Sequence, residues 1–281
     1  MKNSRLPHPR FFVAALLTLL TLITACSAPS ADLLDGPIVA EMTEGQKSGG
    51  QVFDHSAFDA LLSAHVDAQA GRVNYAGLKA DRAKLDAYLQ TIAKARMQDL
   101  GADEQHALLI NAYNGYTLKL IVENYPVGSI RDLSDPWGSA RYEVASHTLS
   151  LDNIEHNLIR PIFKDPRIHF AVNCAAKDCP PLRATAYTGE ALDAQLEEAS
   201  RAVLGSPRFV RVEGDKLRVT KLFDWYGDDF TNNDFKGSAS NVARYVARYS
   251  SDSVRAFIEA KNNDPTVDFL DYDWSLNDSG K

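Results

Sequence analysis

Between Leu151 and Leu182 the chain reads LDNIEHNLIRPIFKDPRIHFAVNCAAKDCPPL, and the side chains best suited to chemistry near neutral pH gather there. Two of the seven histidines, His156 and His169, lie in this stretch with two of the three cysteines, Cys174 and Cys179. Imidazole moves protons near pH 7, and a thiolate is a nucleophile and a metal ligand. A thiol enzyme needs the thiolate, a histidine to create it and a third group to orient that histidine. Cys174 is the candidate nucleophile, His156 the candidate base and His169 the alternative base. Asn111 or Glu104 would supply the orienting hydrogen bond. A Cys174–Cys179 disulfide competes with this chemistry, because two cysteines five apart can meet across a turn. Zinc is a poorer fit, since the histidines lack paired spacing, so neither a metal nor a cofactor is expected.

These residues must be positioned by local structure. Asp152 or Asn153 can cap a short helix with Ile154, Leu158 and Ile159 on its apolar side. Asp152, His156 and Arg160 then share the other face, and Pro161 ends or kinks the helix. Arg167 to Asn173 is β-prone, and alternation would send His169, Ala171 and Asn173 to one face and Phe170, Val172 and Cys174 to the other. Cys179-Pro-Pro closes the stretch, where two prolines stop ladder pairing.

The 281-residue chain opens with an export pattern. Lys2, Arg5 and Arg10 precede an apolar core from Phe11 to Ile23, too short for a typical membrane span. Ile23-Thr24-Ala25-Cys26 resembles a bacterial lipobox, which implies cleavage after residue 25 and acylation of Cys26 with chains such as palmitate. Ser27 after the cysteine resembles the pattern sorted to the outer membrane of a Gram-negative cell. The expectation is a cell-envelope lipoprotein on the periplasmic face, tethered to the membrane through Cys26. Export also favours the disulfide, because that compartment is oxidising. Losing three cations takes the net charge from −7 to −10. An acidic body without a basic cluster argues against nucleic acid as a partner. Ser27 to Gly50 is rich in Ser, Gly, Pro and acidic residues and reads as a flexible tether. The layout is therefore 1–25 signal, 26–50 anchor and tether, and 51–281 one domain.

Within that domain the pattern is α+β, with helices around a small, largely antiparallel sheet. Asp54 can cap a helix bearing Phe58, Leu61 and Leu62, and a second carries Leu85, Tyr88 and Ile92. Asp103 to Asn124 is apolar all round, which marks a buried helix. Glu104, Asn111 and Asn114 interrupt it on one side, and buried amides and carboxylates must find partners. They either support a nearby loop or orient a reactive group. Hairpins are expected around Ser146 and around Glu213-Gly214-Asp215, with later helices over Thr188–Leu204, Val242–Tyr249 and Val254–Ala260 and a last strand over Val267–Tyr272.

Leu108-Leu-Ile-Asn-Ala-Tyr-Asn-Gly-Tyr, Ser150-Leu-Asp-Asn-Ile-Glu-His, Arg167-Ile-His-Phe-Ala-Val-Asn-Cys and Lys177-Asp-Cys-Pro-Pro-Leu occur in order. Leu222-Phe-Asp-Trp-Tyr and Tyr272-Asp-Trp-Ser-Leu-Asn follow. Together, from about Phe53 to Asn277, they resemble the family catalogued as domain of unknown function 547. The family's character resembles papain- or transglutaminase-like thiol enzymes, although no glycine-flanked cysteine opens a long helix here. Two functions follow as expectations. One is a cysteine-type hydrolase or transferase acting on an amide or peptide-like substrate. The other is a tethered binding or scaffold domain for a protein or peptide-like ligand, stapled by the disulfide.

Overall fold

The segment that reads as apolar all round becomes a helix buried on nearly every side. In the computed structural model, which describes residues 36–280, it spans Ala102–Asn124. Among the described residues, four α-helices precede it: α1 (Pro37–Ser48), α2 (Ser56–His65), α3 (Tyr75–Ala80) and α4 (Arg82–Ala93). The long helix is α5. A short antiparallel ladder, Val66–Asp67 (β1) with Arg72–Val73 (β2), joins α2 to α3.

After α5 the hairpin Tyr142–Val144 (β3) and His147–Leu149 (β4) turns at Ala145 and Ser146, both left-handed at φ +50° and +65°. A π-helix, Asn153–Ile159, runs directly into Arg160–Phe163 (α6). The Arg160 amide donates to the Glu155 carbonyl five residues back, which carries the helix past Pro161, whose nitrogen has no hydrogen to give. The remaining helices are α7 (Leu192–Leu204), α8 (Leu222–Thr231), α9 (Val242–Ala247) and α10 (Asp252–Ala260). The hairpin Val210–Glu213 (β5) and Lys216–Val219 (β6) is extended by Thr266–Phe269 (β7), parallel to β6. The architecture is α+β, with helices around small, mostly antiparallel sheets. No described helix is long and apolar enough to cross a membrane.

Two expectations are corrected. The tether expected over 26–50 contains α1, which is packed and not free. Pro37 sits at its first turn, Ile38 and Met42 lie one helical turn apart and are buried, and Gly45 continues their stripe. A Cβ at Gly45 would overlap the Met97 carbonyl and the Gln105 amide, so glycine permits the close approach. Gln105 then donates to the carbonyls of Met42, Met97 and Leu100, tying α1 to α5. The signal segment and Cys26 lie outside the described residues. The strand expected over Arg167–Asn173 is a 3₁₀ turn, Pro166–Phe170, because Pro166 begins it and the Asp165 carboxylate caps the Arg167 amide.

Apolar packing forms two clusters. One surrounds α5 with α1 to α4, and the other joins α7 to α10 around Phe223, Phe230 and Tyr245. Ile168, Ala171 and Val172 belong to the first and Phe170 to the second, so the turn at 166–172 is where they meet. The chemistry-bearing residues sit along that seam.

Candidate functional site

Cys174 and Cys179 are joined as a disulfide. The Tyr272 hydroxyl donates to both sulfurs, at 3.3 Å and 3.2 Å, and the Cys174 amide donates to Cys179 Sγ at 2.9 Å. Burial, then Asp178, pushes the Tyr272 phenol up, so it stays a donor. The loop is held from several directions. Asn173 donates to the Pro180 carbonyl and accepts from the Ala175 amide, which fixes Ala175 at φ +62°. The C-terminal segment pairs with its far side, Lys177 N–H to the Ser275 carbonyl and Asn277 N–H to that of Ala175.

The polar groups of α5 do not orient a histidine at Cys174. Asn111 donates to the Tyr187 carbonyl at 2.7 Å and accepts from the Tyr187 amide at 3.0 Å. Asn114 does the same for Ala171 and Asn173. Glu104 accepts from the amides of Phe53 and Gly189. Each pins backbone, which satisfies a buried polar group and fixes a loop in one step. Asn111 and Glu104 are therefore corrected from candidate orienting groups to loop anchors, the other reading that a buried amide allowed.

His156 and His169 both belong to a different centre. The π-helix carries Glu155 and His156 and α6 carries Arg160. The 3₁₀ turn carries His169, and Tyr226 and Asp229 come from α8. His169 Nε2 donates to Asp229 Oδ2 at 2.8 Å, and Arg160 meets the same carboxylate through two nitrogens, at 2.7 Å and 2.9 Å. Burial alone would raise the Asp229 carboxyl, but the hydrogen bonds from His169 and Arg160 outweigh it and hold it at about 2. Asp229 is therefore an anion, and His169, whose own value burial pushes down, is the neutral Nε2–H tautomer. The Tyr226 ring stacks on His169 at 4.1 Å, and the Arg160 guanidinium lies 5.0 Å from the centre of that ring. Arg160 also donates to His156 Nδ1 at 3.1 Å.

The helix containing Asp152, His156 and Arg160 thus keeps all three on one face, as their spacing predicts. The alternation that set His169 against Cys174 has no strand to act on. The two histidines are engaged by Asp152, Glu155, Arg160 and Asp229, and Cys174 is engaged by Tyr272 and Cys179. Sequence reasoning missed Arg160, Tyr226 and Asp229 as members of a centre. The aromatic-acidic run LFDWYGDDF was the available signal, and α8 is kinked at Tyr226 within it.

An aromatic wall continues from this centre to the disulfide. Trp225 packs on Tyr272 at 4.9 Å and on Trp274 at 5.7 Å, and Trp137 meets Trp274 at 5.9 Å. All three tryptophans of the chain are in this wall, each partly exposed.

Residues 97–204 match the model of a family described as a protein of unknown function, DUF547. No curated protein and no solved structure matches. The matched segment contains α5, the π-helix, Cys174 and Cys179, while Tyr226 and Asp229 complete the centre and Tyr272 meets the disulfide from beyond it.

Proposed function

For a chain that belongs to the DUF547 family through this segment, we propose a cell-envelope lipoprotein whose body is a binding module stapled by Cys174–Cys179. One observation carries the reading. The sulfur that would act as nucleophile is bonded to Cys179, and the two histidines that would activate it are engaged by Glu155, Arg160 and Asp229. A cysteine hydrolase needs a histidine within hydrogen-bond reach of its thiol. The envelope address is supported by the basic, apolar and small-residue order ending at Cys26, and an oxidising compartment suits the disulfide. The partly exposed wall of Trp137, Trp225, Tyr272 and Trp274 gives such a module a surface for a peptide-like ligand.

Peptide mapping without reduction, on protein taken from the envelope, tests the staple. Cys174 and Cys179 should resist alkylation until a reductant is added, and two freely alkylated thiols would overturn the reading. The mature wild type should carry acyl chains on Cys26, and Cys26→Ser should lack them. Persistent acylation of that variant would remove the anchor.

A further inference from the structure

A cavity of about 410 Å³ opens among the later elements, lined by Ser238, Ser240, Arg244, Arg248 and Asn263 beside two alanines. Its walls are pinned by side chains. Asn241 caps α9 by accepting from the Arg244 amide at 2.9 Å, and it donates to the Asn263 carbonyl at 3.1 Å. One amide thus joins the start of α9 to the turn that follows α10. Arg248 donates to the carbonyls of Gly237 and Ser238, which fixes the loop that precedes α9. Arg244 and Arg248 are four residues apart and share one face.

The charge of this cavity runs against that of the chain. The chain carries −7, yet the lining holds two guanidinium groups and no carboxylate. Among the described residues neither Arg244 nor Arg248 has an ion-pair partner. The carboxylates that share Tyr245 and Tyr249 with Arg248 are Asp165 and Glu197, and they are paired with Arg167 and Arg201, each at 2.7 Å. Asp264, next to Asn263, accepts from the Asn241 amide at 3.4 Å. Lys236 and Lys164, joined by a backbone hydrogen bond of 2.7 Å just before Gly237, also lack ion-pair partners among the described residues and add to the positive field. The Ser238 and Ser240 hydroxyls and the Asn263 side-chain amide make no hydrogen bond among the described residues, and each can donate.

We propose that Arg244, Arg248, Ser238, Ser240 and Asn263 form a recognition site for a phosphate group. Arginine forks match phosphate oxygens in pairs. Two guanidinium groups, two hydroxyls and an amide offer more donors than the two oxygens of a carboxylate take, and a phosphate uses more of them. The cavity has room for the group that carries the phosphate as well. A chain tethered through Cys26 would lie beside membrane headgroups, so a lipid phosphodiester is one source and a soluble phosphate monoester is the other. The site lies outside residues 97–204 and depends neither on the state of Cys174 nor on the aromatic wall.

Calorimetric titration of the full mature-length chain without its acyl groups, at low ionic strength, tests the site, with NMR shifts of the Ser238 and Ser240 amides to locate the ligand. The probes are glycerol 3-phosphate, a soluble monoester, and dihexanoyl-phosphatidylglycerol below its micelle concentration, a lipid phosphodiester. Acetate is the carboxylate control. At least one phosphate should titrate to saturation and shift both amides, while acetate does neither; whichever phosphate binds identifies the source. Arg244→Gln and Arg248→Gln should each weaken binding about ten-fold or more. Lys94→Gln removes an exposed cation at the end of α4, outside the lining, and should leave binding unchanged. If Arg248→Gln fails to fold for want of its loop contacts, the exposed Arg244→Gln decides alone. Silence from both phosphates, equal binding of acetate, unchanged binding by Arg244→Gln, or an equal loss in Lys94→Gln would overturn the site.

Discussion

Asp229 accepts three charge-assisted hydrogen bonds, two from Arg160 and one from His169, at a position 5% exposed. Removing one partner of such a pair leaves the other as an uncompensated charge, so Asp229→Ala should cost about 3–5 kcal/mol. Urea unfolding checks it, and an unchanged midpoint would show that Arg160 finds water instead. The same carboxyl sets an acid limit. Its folded value of about 2 lies below the ordinary carboxylate value, so its contribution is full above that ordinary value and is lost as pH falls through about 2. At this scale the sequence was half legible. His156 and His169 announce themselves by type, but Asp229 is 60 residues beyond His169, and no spacing rule links them. The Nδ1 of His169 has no hydrogen-bond partner, and its tautomer is fixed only by the Asp229 contact.

Helices and loops are held at a few close contacts that can be broken one at a time. On α1, Gly45→Ala would push a methyl into the Met97 carbonyl and the Gln105 amide. Overpacking of that kind should cost about 1–3 kcal/mol and expose Lys47 to limited trypsin digestion. An unaltered digestion pattern would mean that α1 docks without that close approach. On α5, Asn111→Ala leaves the Tyr187 amide and carbonyl without their partner, at about 1–3 kcal/mol. A thermal midpoint unmoved by Asn111→Ala would contradict this anchor. The all-round apolar pattern made α5 legible to within a residue, and the hairpins at Ser146 and Gly214 were legible too, while the short β1–β2 ladder was not. Composition hid α1, because two buried apolar residues and one glycine suffice to dock it. Local β-propensity misjudged 167–173, where Pro166 and the Asp165 cap win.

The core cluster around α5 encloses two histidines that fold in the neutral form. Burial pushes His55 down to about 4 and His106 to about 3, and His106 also stacks on Phe163 at 4.1 Å. A base whose folded value lies below its unfolded one binds fewer protons when folded. Stability is therefore unaffected well above pH 6.5 and falls as pH drops below it, down to the folded values. Between pH 7 and pH 5 each histidine should cost about 2 kcal/mol of stability. Denaturant midpoints at the two pH values check this, and His106→Phe should remove about 2 kcal/mol of the loss. A pH-independent midpoint would mean that both rings are already solvated. Reducing the Cys174–Cys179 staple should cost about 2 kcal/mol, as expected for so short a loop. The sequence carried the α+β class and its order of elements. It did not show that residues beyond the family segment complete the centre, because that closure is made in space by α8 and the C-terminal segment.

The central claim is that the staple is structural and that the histidines serve the Asp229 centre. Iodoacetamide labelling rates of Cys174 and Cys179 after gentle reduction, at pH 6 to 7, test it most directly. An unassisted thiol has a pKa of about 8.5 and labels slowly there. The two cysteines should label at similarly slow rates, and neither His156→Ala nor His169→Ala should change them. Fast labelling of Cys174 that either substitution abolishes would contradict the claim and make Cys174 an activated nucleophile.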